Sequence, residues 1–131
     1  MTGRPELIRD YFNRQYESLE GTVAENVEGL FAFDLVYHLS DDRAIGREDL
    51  VTLTDLLRRT RKDRTTTVSD FTEDGDDVSF VMSISATDGE SSGVDSRTTY
   101  RFRADKVVDV WQENPSKLEV IVRAAGIPLA D

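Results

Sequence analysis

Residues 78–86, with the sequence VSFVMSISA, carry an apolar side chain at every second position. Strict alternation of this kind indicates a strand with one face in the core and the other in solvent. The acidic stretch EDGDD at 73–77 comes just before it, and a central Asp-Gly pair is typical of a hairpin turn. The pattern therefore predicts a hairpin of strands 65–73 and 78–86. The inward side chains of its second strand are expected to be Val78, Phe80, Met82, Ile84 and Ala86.

The alternation returns after a polar loop at 87–93. Residues 94–103 place Thr98, Tyr100 and Phe102 on one face and arginines on the other. A short turn then leads into a further strand over 107–113. Successive strands joined by such short connections are typical of an antiparallel meander.

Helical segments flank this meander. Thr22 and Glu25 have the spacing of a capping box, and acidic residues open a longer helix near Arg47. A first helix precedes Thr22, a strand over 33–39 separates the second helix from the third, and a last helix is expected over 114–125. Helices grouped before a run of strands belong to the α+β class. We predict a cone-shaped, curved antiparallel sheet packed against three N-terminal helices, with a short C-terminal helix.

The length of 131 residues predicts one domain over residues 1–131. A strongly curved sheet closed by helices keeps a hollow at its wide end, and such concavities are where small molecules bind. We therefore look for functional residues among the side chains that face into the cone.

Composition excludes several function classes. The chain has 16 Lys and Arg against 26 Asp and Glu, a net charge of −10, and a pI near 4.5. Because such acidity repels phosphate backbones, we expect no nucleic-acid partner. With no Cys, a single His and no Gly-rich phosphate loop, the sequence predicts neither a metal site nor a cofactor. It has no apolar run of the ~18 residues that a membrane helix needs and no secretory signal, so we expect no membrane partner and a cytoplasmic location.

Four stretches together carry a family resemblance: IRDYFNRQ (8–15), LFAFDLVYHL (30–39), IGREDL (45–50), and KVVDVWQEN (106–114) followed by AAGIPL (124–129). In this order they resemble the nuclear transport factor 2-like superfamily and, within it, the SnoaL-like polyketide cyclases and the ketosteroid isomerases. The superfamily contains isomerases, cyclases, epoxide hydrolases and dehydratases, as well as binding and assembly modules. The fold therefore does not decide the function, which depends on the residues in the cone.

The resemblance implies two catalytic residues. His38 lies where ketosteroid isomerases carry their aspartate base, and a neutral imidazole is a competent base near neutral pH. Tyr11 lies where those enzymes carry a tyrosine that donates to an oxyanion. The residue types alone leave two other interpretations open: a hydrogen-bonded or exposed histidine, and a tyrosine that only packs against the sheet.

Two positions depart from the family pattern. Thr98 stands where ketosteroid isomerases place a protonated aspartate, and Gln112 stands where SnoaL-like cyclases carry an aspartate just after the Trp. Alternation over 107–113 predicts Val108, Val110 and Gln112 on the inward face, which leaves the cone without a carboxylate. A shift of one residue would instead turn Asp109, Trp111 and Glu113 inward. We prefer the first phase, because it leaves the carboxylates in solvent.

The predicted lumen is apolar with a few neutral polar groups. Besides His38 and Tyr11, its ligand-binding side chains are expected to be Phe12, Leu53, Leu57, Phe80, Met82, Ile84, Thr98, Tyr100, Val110 and Gln112. Each aliphatic or Phe side chain, taken singly, is more typical of an ordinary core than of a ligand-binding wall.

Two hypotheses of different class follow. The first is an acid–base isomerase, cyclase or hydrolase that acts on a neutral apolar molecule resembling a polyketide, steroid or terpenoid. The second is a non-catalytic module of the same fold that binds a ligand or assembles as a homodimer. The resemblance implies a homodimer, and we expect its interface on the outward face of strands 78–86 and 94–103.

Overall fold

The computed structural model describes residues 3–39, 43–59, 64–86, 94–113 and 122–127, except for the side chains of residues 64, 65, 84–86, 94 and 95. Three helices and six strands follow one another in the order that the sequence predicts, apart from one added short strand. They are α1 (Arg4–Tyr16), α2 (Val23–Leu30), β1 (Phe31–His38), β2 (Ala44–Ile45), α3 (Arg47–Arg59), β3 (Arg64–Asp74), β4 (Asp77–Ala86), β5 (Val94–Arg103) and β6 (Lys106–Gln112). The predicted α+β class is confirmed. The described helices include none long and apolar enough to cross a membrane.

The six strands form one sheet in the order β2-β1-β6-β5-β4-β3. The meander β3 to β6 is antiparallel, as predicted, but β1 runs parallel to β6. A parallel pair needs a long crossover, and here β2, α3 and the strands β3 to β5 lie between the two partners. The added strand β2 pairs with the end of β1 through Tyr37 and His38.

Irregular pairing accompanies the curvature of the sheet. The register shifts between Ser69 and Thr72 in β3, where Asp70 has a φ of 56°, and again where β5 meets β6. Such bulges bend a strand and increase its twist. The sheet curves over the helices but is not closed.

The bulge between β5 and β6 also corrects one predicted position. Arg101 pairs with Asp109, whereas Phe102 pairs with Val107, so an extra residue interrupts the alternation of β6. Val107 is consequently the fully buried residue, and Val108, predicted to face inward, is only partly buried. After the bulge, Val110 is buried and Gln112 follows it on the inner face, which confirms the predicted phase there.

Local capping signals fix the start of α2. The Thr22 hydroxyl accepts a hydrogen bond from the Glu25 amide, and the Glu25 carboxylate accepts one from the Thr22 amide. This confirms the predicted capping box. Near the C-terminus, the predicted helix over 114–125 falls mostly outside the described residues. Residues 122–124 are helical, and Gly126, with a φ of 83°, follows that turn in the left-handed conformation common at helix ends.

Candidate functional site

A cavity lies between α1, α3 and the inner face of the sheet. Its volume is about 30 Å³, enough for one or two water molecules. Its lining is aromatic and aliphatic with two threonines. We call it the tyrosine cavity, and it is lined by Tyr11, Phe12, Tyr16, Phe31, Tyr37, Leu50, Leu53, Thr54, Leu57, Thr66, Met82 and Tyr100.

All four tyrosines of the chain line this one cavity. Tyr11 and Tyr16 come from α1, Tyr37 from β1 and Tyr100 from β5. None of the described lining residues carries a charge. The cavity therefore presents phenol groups in an otherwise apolar, uncharged setting.

Tyr11 is buried at the centre of the aromatic wall. Its ring packs edge-on against Phe12 and Phe31, with both centroid distances 5.3 Å. Burial raises the pKa of Tyr11, and hydrogen bonds with Gln15 and Thr54 offset part of that effect. The phenol therefore stays protonated at neutral pH, as the predicted role of an oxygen donor requires.

Gln15 connects Tyr11 to the second helix. The Gln15 amide donates to the Val23 carbonyl at 3.3 Å, and the Asn26 amide donates to the Gln15 side-chain oxygen at 3.1 Å. Gln15 itself is fully buried. These bonds fix the position of the Gln15 side chain, which hydrogen-bonds the Tyr11 hydroxyl.

Tyr37 has a polar partner on the neighbouring strand. The Gln112 side-chain amide donates to the Tyr37 hydroxyl at 2.6 Å. Burial nevertheless raises the pKa of Tyr37 well above its usual value, more than the hydrogen bond from Gln112 lowers it. Burial likewise raises the pKa of Tyr16 and of Tyr100.

His38 does not lie in this cavity. It follows Tyr37 in β1, so its side chain points to the opposite, outer face of the sheet. There its Nε2 hydrogen-bonds Asp109 at 3.0 Å, and its ring stacks on Trp111 at 4.9 Å with an interplanar angle of 2°. The predicted placement of His38 in the lumen is therefore wrong, because the alternation of β1 gives the inner face to Leu35, Tyr37 and Leu39.

The other predicted residues divide into three groups. Those that the structure places around the cavity are Tyr11, Phe12, Leu53, Leu57, Met82 and Tyr100. Phe80, Thr98 and Val110 are fully buried on the inner face but do not reach the cavity. Gln112 reaches it through Tyr37, and the side chain of Ile84 lies outside the described part of the chain.

Six further side chains that were not predicted line the cavity: Tyr16, Phe31, Tyr37, Leu50, Thr54 and Thr66. Two of them had a usable signal. Tyr37 alternates with Leu35 and Leu39, which marks it as inward, and Thr54 follows Leu50 by one helical turn. Tyr16 is off the helical stripe of Tyr11 but packs against Phe12, with the two ring centroids 5.9 Å apart.

Comparisons with known proteins cover most of the chain. The sequence profile of the SnoaL-like domain family matches residues 8–110. No curated protein sequence matches the chain.

Several solved structures share its architecture. IdmH from Streptomyces antibioticus, provisionally named a polyketide cyclase, superposes with a TM-score of 0.66 at 18% identity, over 95% of this chain and 98% of that one. A provisionally named ketosteroid isomerase from Kribbella flavida gives 0.60 at 20% identity, over 83% and 75%. A designed protein of the nuclear transport factor 2 fold, NT-9, gives 0.69 at 12% identity, over 95% and 97%. At these identities the likeness shows the fold alone.

Proposed function

Because the chain belongs to the SnoaL-like domain family, within the nuclear transport factor 2-like superfamily, we propose that it binds a small, neutral, oxygen-bearing apolar molecule in the tyrosine cavity. One observation carries this proposal: all four tyrosines of the chain meet in a cavity whose described lining has no charge. A buried phenol that stays protonated is a hydrogen-bond donor in an apolar wall. Such a wall favours a flat ring system with an acceptor oxygen.

The phenols also define what the site can do to a bound molecule. Hydrogen bonds from several donors polarise a carbonyl oxygen and stabilise negative charge that develops on it. Isomerisation, cyclisation and hydrolysis need, in addition, a base within hydrogen-bond reach of the ligand. The described lining has neither a carboxylate nor an imidazole. Our proposal is therefore binding with polarisation of the ligand oxygen, and turnover by the described lining residues is not part of it.

The small volume sets a condition on the ligand. A molecule larger than two waters must displace the side chains that fill the cavity. Met82 in the wall is the side chain best suited to move, because methionine is unbranched and turns about three bonds. We therefore expect ligands of one or two rings in preference to extended polycyclic ones.

A pair of variants tests the location of binding. Thr66 lines the cavity, whereas Thr67, the next residue of β3, is exposed on the other face. We expect 1-tetralone to shift the methyl NMR resonance of Met82 in the wild type. Thr66→Trp, which fills the cavity, should abolish the shift, and Thr67→Trp should retain it.

The proposal fails under either of two results. The first is that 1-tetralone, 1-tetralol and acetophenone all leave the Met82 resonance unchanged at millimolar concentration. The second is that Thr66→Trp and Thr67→Trp, both folded by circular dichroism, bind 1-tetralone equally well.

A second candidate function is self-association through the outer face of the sheet. Two apolar side chains of β1 are exposed, Phe33 at 78% and Val36 at 38%. Beside them, the Trp111 ring stacks with His38, and the guanidinium of Arg101 lies 4.8 Å from its centroid. Exposed aromatic and apolar groups of this kind are typical of interface cores.

Charge on this face suits a second copy of the chain. Its ion pairs join Arg101 to Asp77 and Arg103 to Asp34, both at 2.9 Å. Cations and anions are thus mixed here, so two such faces can approach although the whole chain carries −10. This outer face includes β4 and β5, the strands predicted to form the homodimer interface, and it also includes β1 and β6.

Sedimentation tests this second candidate. We expect a dimer at micromolar concentration that Phe33→Glu dissociates. Thr52→Glu, which adds the same charge on the exposed side of α3, should leave it intact. If the wild-type chain sediments as a monomer at all micromolar concentrations, this candidate is overturned. The proposal of ligand binding in the tyrosine cavity is unaffected by that result.

A further inference from the structure

The Gln112 amide determines in which direction the Tyr37 hydroxyl can donate its hydrogen bond. Its Nε2 donates to the phenol oxygen at 2.6 Å, just below the usual range for an N–H donor. A phenol has one proton to give as well as lone pairs that accept. Because the amide occupies a lone pair, the phenol keeps its own proton for an acceptor elsewhere.

The backbone holds both partners in place. Tyr37 pairs with Ile45 on one side and with Val110 on the other. Gln112 pairs with Thr98, two residues beyond Val110 on the same face of β6. This parallel register places the amide beside the phenol, and Tyr37 is only 5% exposed.

The acceptor of the Tyr37 proton can come from within the cavity. The Tyr37 ring is part of the lining, whose neighbouring side chains include the apolar Phe31, Leu50 and Leu53. A ligand oxygen that brings lone pairs and no proton of its own satisfies the phenol there. A ligand hydroxyl can also accept that proton, but it brings one of its own, which is costly wherever the hydroxyl oxygens of the lining do not accept it.

We infer that Gln112 is a positioning residue that sets Tyr37 as a donor, so that the cavity selects carbonyl ligands (ketones, aldehydes or quinones) over the corresponding alcohols. This inference rests on the proposed function, since it specifies the ligand class of the same cavity. The expected preference for the carbonyl is roughly tenfold in Kd, equivalent to the cost of one buried unpaired donor.

The test compares 1-tetralone with 1-tetralol, which differ by the oxidation state of one oxygen. Wild-type protein should bind the ketone about tenfold more tightly. Gln112→Glu replaces the donor by an acceptor. At pH 8 its carboxylate accepts a hydrogen bond from the Tyr37 hydroxyl, which stays protonated. The lone pairs of the phenol oxygen are then left for the cavity, and the preference should reverse toward the alcohol.

Two further variants test whether the Gln112 amide sets the direction of the Tyr37 hydrogen bond or only packs against the Tyr37 side chain. Gln112→Met keeps the length of the side chain without its amide and should bring the ratio of the two Kd values close to one. Tyr37→Phe should do the same. Either variant keeps the inference testable if Gln112→Glu does not fold.

The outcomes are distinct. Equal wild-type affinity for ketone and alcohol overturns the inference and leaves the proposed function standing. An unchanged ketone preference in both Gln112→Met and Gln112→Glu also overturns it. If 1-tetralone, 1-tetralol and acetophenone all fail to bind, the proposed function fails, and the inference fails with it.

Discussion

Asp109 and Trp111 hold His38 on the outer face of the sheet by a hydrogen bond and by ring stacking. The imidazole is one-third exposed there and is separated from the tyrosine cavity by the sheet itself. The geometry thus gives His38 a packing role on this face. Whether it also acts as a base stays a prediction of the family resemblance.

Replacement of His38 tests this separation. We expect His38→Ala to leave the affinity for 1-tetralone unchanged and to lower the free energy of unfolding by about 1 kcal/mol, because the stacking of a partly buried ring pair is lost. Calorimetric titration and urea unfolding measure the two quantities. A large loss of ligand affinity in a folded variant would connect the imidazole to the site.

Ser96 is the described residue whose buried side-chain oxygen has no hydrogen-bond partner among the described residues. It is 1% exposed on the inner face of β5. Since an unpaired buried hydroxyl is costly, we expect Ser96→Ala to raise the free energy of unfolding by about 1 kcal/mol.

A second serine provides the matched control. The Ser79 hydroxyl hydrogen-bonds Thr99 at 2.9 Å across the outer face. Ser79→Ala should therefore lower the free energy of unfolding by about 1 kcal/mol. Two serine variants that both destabilise the fold would show that Ser96 has a partner in solution.

At the scale of elements, α2 depends on its capping box. Its amino end is short of backbone acceptors, and Thr22 supplies one through its hydroxyl. We expect Thr22→Ala to lower the free energy of unfolding by about 1 kcal/mol. Thr52→Ala, on the exposed side of α3, should be neutral or slightly stabilising, because alanine is the better helix former.

The same box gives the effect of Thr22→Ala a pH dependence. Hydrogen bonds from Thr22 lower the pKa of Glu25 below its ordinary value. The carboxylate therefore contributes its stabilisation above that ordinary value, near 4.3, and loses it as the pH falls through the lowered pKa. Urea unfolding of wild type and variant at neutral and acid pH should show a smaller difference in acid. If wild type and Thr22→Ala differ by the same free energy of unfolding at neutral and at acid pH, Glu25 does not take part in the capping box.

At the scale of the whole molecule, the four cavity tyrosines link folding to alkaline pH. Burial raises the pKa of all four, and the chain has no other tyrosine. The fold favours the neutral phenol. The contribution of the buried phenols to the free energy of unfolding is therefore complete below the ordinary pKa of about 10. It is lost as the pH rises toward the raised pKa values of the folded state.

We therefore expect phenolate absorbance to appear only together with the loss of helical circular dichroism. In denaturant, all four tyrosines should titrate near their ordinary pKa of about 10. A native titration of even one tyrosine near that value, with the fold intact, would show that its phenol reaches solvent.

Most helices and strands could be predicted from the sequence alone, because the patterns that indicate them lie within a few neighbouring residues. The capping box of α2 needs only Thr22 and Glu25, and the alternation of 78–86 needs only its own side chains. These patterns are local because helix and strand periods are set by the backbone. The absence of Cys and the single His likewise follow from the sequence without any structure.

The site depended on contacts between distant segments, and only the tertiary structure decided it. The parallel pairing of β1 with β6 brings Tyr37 beside Gln112, 75 residues apart. The bulge that buries Val107 in place of Val108 arises from pairing with β5, which the alternation of β6 does not contain. The tyrosines meet because a curved sheet folds over α1. Periodicity assigns a side chain to a face, but which side chains share a cavity is determined by the packing of elements far apart in the chain.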